Sequence, residues 1–217
     1  MPVPALTETY TPGEELSHAL THGIGALLAA AGLVLLVARA ARGGAWQLGS
    51  VAAFGASLVA MYTVSTLFHS VPAPRPKRAL RVADHCLIYV LIAGTYTPFA
   101  LVTLQGSWGW SLFAFTWGVA LAGIVFKVFF TGRYELLSVL VYLTLGWCGV
   151  VAAVPILQRL PTAGIAWLLA GGLCYTVGVA FYALERMRYH HAVWHLFVLA
   201  GSVCHYYCVL RYVITPG

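Results

Sequence analysis

Aspartate occurs once in this chain, at position 84, and charged residues of all kinds make up only 8% of its 217 residues. Soluble domains carry about a quarter. Together with 61% hydrophobic residues and a mean hydropathy of +0.86, that scarcity excludes a soluble globular protein and implies an integral membrane protein. Cys-x-x-Cys spacing is also missing. Cys86, Cys148, Cys174, Cys204 and Cys208 stand inside apolar runs and read as small buried hydrophobes, so no disulfide framework is expected. The net charge of +6 is spread over loop ends and lacks the clustered basic patch of a nucleic-acid binder. Lys and Arg are absent from the first 20 residues, which hold Glu8, Glu14 and Glu15, so no cleavable signal peptide is expected and the first helix stays as an anchor. No internal repeat or inverted hydropathy symmetry is apparent, which counts against a secondary transporter.

Long apolar runs are what the chain has instead. Seven of them approach the roughly 20 residues that cross a hydrocarbon core, at about 17–38, 46–69, 82–104, 108–130, 135–157, 163–184 and 192–213. The expected fold is therefore an all-α, seven-transmembrane helix bundle formed by residues 17–217, behind a short cytoplasmic leader at 1–16. Pro72, Pro74 and Pro76 mark the clearest loop, between the second and third helices. The other connections are short, which makes successive helices antiparallel neighbours. Pro98 and Pro155 predict kinks, and Gly118, Gly123, Gly171 and Gly172 predict close helix contacts. Eight of the twelve Lys and Arg residues fall on the side of the N-terminus and the even-numbered loops, which favours a cytoplasmic N-terminus and an external C-terminus.

A carboxylate in such a chain calls for a partner, because an intramembrane charge costs roughly 2.5–3.5 kcal/mol on insertion scales. Three polar patches share a predicted depth near the inner interface. Ser65 and His69 end the second helix, Asp84 stands in the first turn of the third, and His191 and His195 open the seventh. Each pair is spaced i and i+4 and projects from one helix face. Three imidazoles with an open fourth position suit a catalytic zinc, with Asp84 orienting or deprotonating its water and Ser65 holding water or an oxyanion. Simpler readings stand beside this one: interfacial histidines bond head groups or carbonyls, and Asp84 can pair with Arg81 on its own helix. His18 and His22 form a rival i, i+4 pair on the first helix, either as alternative ligands or as a polar rim. His85 and His205 read as packing or hydrogen-bonding histidines.

The motifs Glu14-Glu15-Leu16-Ser17-His18-Ala19-Leu20-Thr21-His22-Gly23, Ser65-Thr66-Leu67-Phe68-His69, Asp84-His85 with Ile92-Ala93-Gly94-Thr95-Tyr96-Thr97-Pro98-Phe99, and His191-Ala192-Val193-Trp194-His195 occur in this order. In them the chain resembles the hemolysin III family, the bacterial branch of the progestin and adipoQ receptor (PAQR) superfamily, which includes the adiponectin receptors. The resemblance covers nearly the whole chain. It implies a seven-helix bundle in the bacterial inner membrane with an intracellular N-terminus and a zinc ion on His69, His191 and His195, and with Ser65 and Asp84 around the bound water. Ala192 departs from the acidic residue that tends to follow the first histidine of that last pair. Related alkaline ceramidases imply hydrolysis of a lipid amide, and bacterial members imply membrane lipid homeostasis and cytolysis. The expected function is a zinc-dependent lipid amide or ester hydrolase, with a membrane lipid or fatty acyl chain entering the bundle. The alternatives are a receptor or membrane-state sensor with structural zinc, and a pore-forming cytolysin or transporter.

Overall fold

The computed structural model describes residues 10–214. Among the described residues, seven helices are long and apolar enough to cross a membrane: α1 Pro12–Ala40, α2 Ala45–Ser70, α3 Pro74–Leu104, α4 Gly106–Phe130, α5 Glu135–Arg159, α6 Thr162–Tyr182 and α7 His190–Val213. No strand occurs among them. The chain is a multi-pass integral membrane protein.

Two boundaries differ from the sequence expectation. Helix α1 starts at Pro12, inside the segment expected to be a leader, because Thr11 and Glu14 form a reciprocal capping box and Pro12 sits where no backbone donor is needed. Residues 1–9 of that leader lie outside the described residues. The start of α3 is likewise earlier than position 82. Pro74 and Pro76 open its first turn, where their missing N–H groups would have had no intrahelical partner in any case. Only Val71, Pro72 and Ala73 remain outside helix between α2 and α3.

The helices close into a ring. α1 packs against both α2 and α7, α2 against α3, α3 against α4 and α5, and α6 against α5 and α7. In the most apolar stretches of α2 and α3, 50% of residues are buried, against 17% in α5 and α6, so the former lie inside and the latter face lipid. Lipid tails leave little hydrophobic drive between helices, and contact relies on small residues. Gly123 on α4 lies flat against the Tyr89 ring, and Gly171 on α6 lies against the His205 imidazole; a Cβ at either would collide with the ring. Gly118 faces open space and makes no such contact.

Both expected proline distortions are present. After Pro98, α3 continues as a π-helical turn, Phe99–Leu104, and before Pro155, α5 tightens into a 3-10 stretch, Cys148–Ala152. Backbone groups freed inside a membrane need new partners. The Tyr96 hydroxyl supplies them for α5, donating to the Gly146 carbonyl at 2.5 Å and accepting from the Gly149 N–H at 3.0 Å. The five cysteines are free.

Candidate metal centre

Four helices bring their polar residues to one end of the bundle. On α1, Glu15, His18 and His22 follow i, i+3, i+7 spacing and so occupy one face. That face meets Ser65 and His69 near the end of α2, and His191 and His195 at the start of α7. Lys77 on α3 closes the group. His18, His22, Ser65, His69 and His195 are all buried.

His69, His191 and His195 each offer a ring nitrogen, and the three nitrogens lie within 4.8 Å of one another. The surrounding hydrogen bonds orient those rings. His69 Nδ1 lies 2.7 Å from Glu15 Oε2, and Glu15 Oε1 in turn accepts from Lys77 Nζ at 2.7 Å. A carboxylate accepts only, so Nδ1 of His69 carries a proton and donates, while Nε2 is buried without a partner.

His195 is held in the same sense. Its Nδ1 lies 3.2 Å from Thr21 Oγ1 and 3.3 Å from the His18 carbonyl. The Thr21 hydroxyl donates to the Ser17 and His18 carbonyls, so its lone pair faces the imidazole. Both contacts are met by a proton on Nδ1, which leaves Nε2 as the acceptor. His191 Nδ1 is buried and unpartnered. Buried nitrogens without partners carry a desolvation penalty. Neutral imidazoles whose second nitrogen donates to oxygen are what a metal requires. The residues present therefore fit a divalent cation, and they are the three singled out in the sequence.

Ser65 Oγ shares a 2.7 Å hydrogen bond with His22 Nδ1, and the His22 ring stacks on His195. The rival α1 pair is thus in the same cluster as the α7 pair, one turn farther along the bundle for His22. Asp84 is not in the first turn of its helix. It stands ten residues, about 15 Å, along α3, with Ser65, His69, His85 and Arg81 around its carboxyl. Among the described residues its ion-pair contact is His85 Nδ1 at 3.8 Å, and no contact with Arg81 within 4 Å is formed. His85 Nδ1 also bonds the Arg81 carbonyl at 2.8 Å. His205 Nε2 donates to the Leu168 carbonyl at 3.1 Å, deep in the bundle.

Glu15 and Lys77 were not legible as parts of the site. The i, i+3, i+7 pattern on α1 carries a signal for Glu15, but nothing in the sequence singles out Lys77. Tyr10 covers the cluster, its ring centroid 4.6 Å from that of His18 and 5.4 Å from that of His191. Two open cavities lie elsewhere. An apolar groove of about 300 Å³ runs between the start of α2 and the end of α3, lined by Trp46, Thr97 and Trp117 among others, and a more polar cavity borders Gln105, Trp108 and Arg159.

The family profile described as "Haemolysin-III related" matches residues 10–206, nearly the whole chain. The chain belongs to the haemolysin-III-related family. Its haemolysin-III relatives include the "Hemolysin-3 homolog" of Bacillus subtilis, 47% identical over 206 residues, 94% of this chain and 97% of that protein. "Hemolysin-3" of Bacillus cereus is 44% identical over 202 residues, 93% and 92% of the two chains. The human "Monocyte to macrophage differentiation factor", a PAQR-type protein, is 30% identical over 175 residues, 77% of this chain and 71% of that one. No solved structure matches.

Proposed function

We propose that this haemolysin-III-family protein is a zinc-dependent hydrolase of a lipid amide or ester bond, acting in membrane lipid homeostasis. The observation that carries the reading is the gathering of three imidazoles, His69, His191 and His195, with ring nitrogens within 4.8 Å of one another and with Asp84 and Ser65 nearby. A bound zinc supplies a Lewis acid for the scissile carbonyl and lowers the pKa of a coordinated water toward about 7. The chain's own residues do the rest. Asp84 accepts the proton of the attacking water and returns it to the leaving amine or alkoxide as the C–N or C–O bond breaks. Ser65, held by His22 Nδ1, hydrogen-bonds the carbonyl oxygen as negative charge develops on it. Glu15 and Thr21 keep the ligand rings in the tautomer that points Nε2 inward. The acyl chain stays in the bilayer or among the helices, so only the polar linkage has to reach the site. The distribution of basic residues supports a site facing the cytoplasm.

The test is metal analysis of the purified protein beside His69→Ala and His195→Ala, with lipid hydrolysis followed by mass spectrometry. One zinc per chain in the wild type and its loss in both variants, together with loss of released fatty acid, is the expected result. Full zinc occupancy in both variants overturns the ligand assignment.

A second reading, a receptor or membrane-state sensor with structural zinc, is favoured by one observation: the cluster ties α1, α2 and α7 together and reaches α3 through Lys77. Under that reading, chelation lowers the unfolding temperature while no lipid product is ever released.

A further inference from the structure

Among the described residues, His18 is the one histidine with both ring nitrogens buried and without a hydrogen bond. Its side chain is fully buried, at 0% exposure, and both Nδ1 and Nε2 lack a hydrogen-bond partner. Leaving two such atoms unpaired away from water carries a desolvation penalty. A buried imidazole with both nitrogens unpaired is placed to serve as a ligand.

The ring positions indicate which one. The centroid of His18 lies 4.7 Å from that of His69, 4.8 Å from His191 and 5.5 Å from His195. Those three rings are separated from each other by 5.3, 5.3 and 4.6 Å. All six separations are thus nearly equal, so the four rings stand at the corners of a slightly distorted tetrahedron. Imidazoles bound to tetrahedral zinc have nitrogens about 2.0–2.1 Å from the metal and ring centres just over 1 Å farther out, which places the centres about 5 Å apart.

We propose that His18 is a fourth imidazole ligand at this site: in the resting protein it occupies the position that His69, His191 and His195 leave open, and it yields that position to water and substrate. The proposal rests on the zinc site argued above and adds the regulation of its open position. His18 can turn either nitrogen inward without breaking a hydrogen bond. That freedom distinguishes it from His69 and His195, whose Nδ1 atoms are committed to Glu15 and to α1.

The competing assignment is a second cation held by Glu15, His18 and His69, whose donor atoms also lie within 4.8 Å of one another. It is disfavoured because Lys77 Nζ already sits 2.7 Å from Glu15 Oε1 and the His69 Nδ1 proton occupies Oε2. A metal there would face one cation and displace another bond. His18 is better used toward the site where His69 Nε2 and His191 Nδ1 lie buried without partners.

Zinc-edge X-ray absorption on the full-length zinc-loaded protein in nanodiscs counts the imidazoles directly. Four per zinc are expected in the wild type, and three plus one oxygen in His18→Ala and His18→Asn. Zinc extraction by a chelator is expected to be roughly ten-fold faster or more in both variants. Three imidazoles in the wild type, with the variants unchanged, overturns the proposal and leaves the three-histidine site standing. Two zinc ions per wild-type chain overturns it in favour of the Glu15 set. A wild type that takes up no zinc overturns the site and the proposal together. The wild-type count decides the matter even if a variant fails to fold.

Discussion

His22 and His195 lie face to face, ring centroids 3.5 Å apart and planes 9° apart, although one belongs to the first helix and the other to the last. The stack fixes the azimuth of α1 against α7, and the same His22 ring holds Ser65 on α2. His22→Ala removes both contacts and leaves the buried Ser65 hydroxyl without its imidazole. The expected loss is about 1–3 kcal/mol, read as a lower unfolding temperature in detergent, and an unchanged melting curve contradicts it.

Glu15 acts on the site through His69. Glu15→Gln weakens the hold on the Nδ1 proton and removes the ion pair with Lys77. Zinc affinity is expected to fall by roughly 10–100-fold, measured by competition with a chromogenic chelator. Glu14→Gln serves as the control: its carboxylate caps α1 and the Tyr189 N–H and does not contact the ligands, so affinity should hold.

Asp84→Asn tests the chemistry apart from the metal. A general base contributes typically 10²–10⁴-fold, so lipid hydrolysis should fall by about that factor while zinc content stays at the wild-type level. Turnover that survives the substitution rules out Asp84 as the base.

Packing gives a comparison independent of the site. Gly123→Ala drives a methyl into the Tyr89 ring, whereas Gly118→Ala projects into open space. Overpacking costs about 1–3 kcal/mol; the first variant should melt earlier and the second should match the wild type in the same detergent.

The seven spans were readable because run length and the near absence of charge decide them, and the gathering of His69, His191 and His195 because i, i+4 spacing puts each pair on one face. α3 starts earlier than its apolar run for a physical reason: Pro74 and Pro76 break a helix interior but suit a first turn. Asp84 therefore stands farther along its helix than the apolar run alone suggests. The relation of His18 and His22 to the α7 pair was not readable at all. Spacing within a helix gives a face, and depth follows from residue count, but which faces meet depends on how α1 packs between α2 and α7. Lys77 illustrates the same limit, since its partner Glu15 lies on a helix two spans away.

The contact between α1 and α7 also sets an order of events in the making of the molecule. Thr21 and the His18 carbonyl hold His195, and Glu14 binds the backbone of Tyr189 just ahead of α7. Until the seventh helix has left the ribosome and entered the bilayer, α1 and α2 present His18 and His69 beside Glu15 without the imidazoles of α7. The complete histidine cluster is thus assembled only once the last helix is in place, so a truncated or stalled product lacks two of its imidazoles.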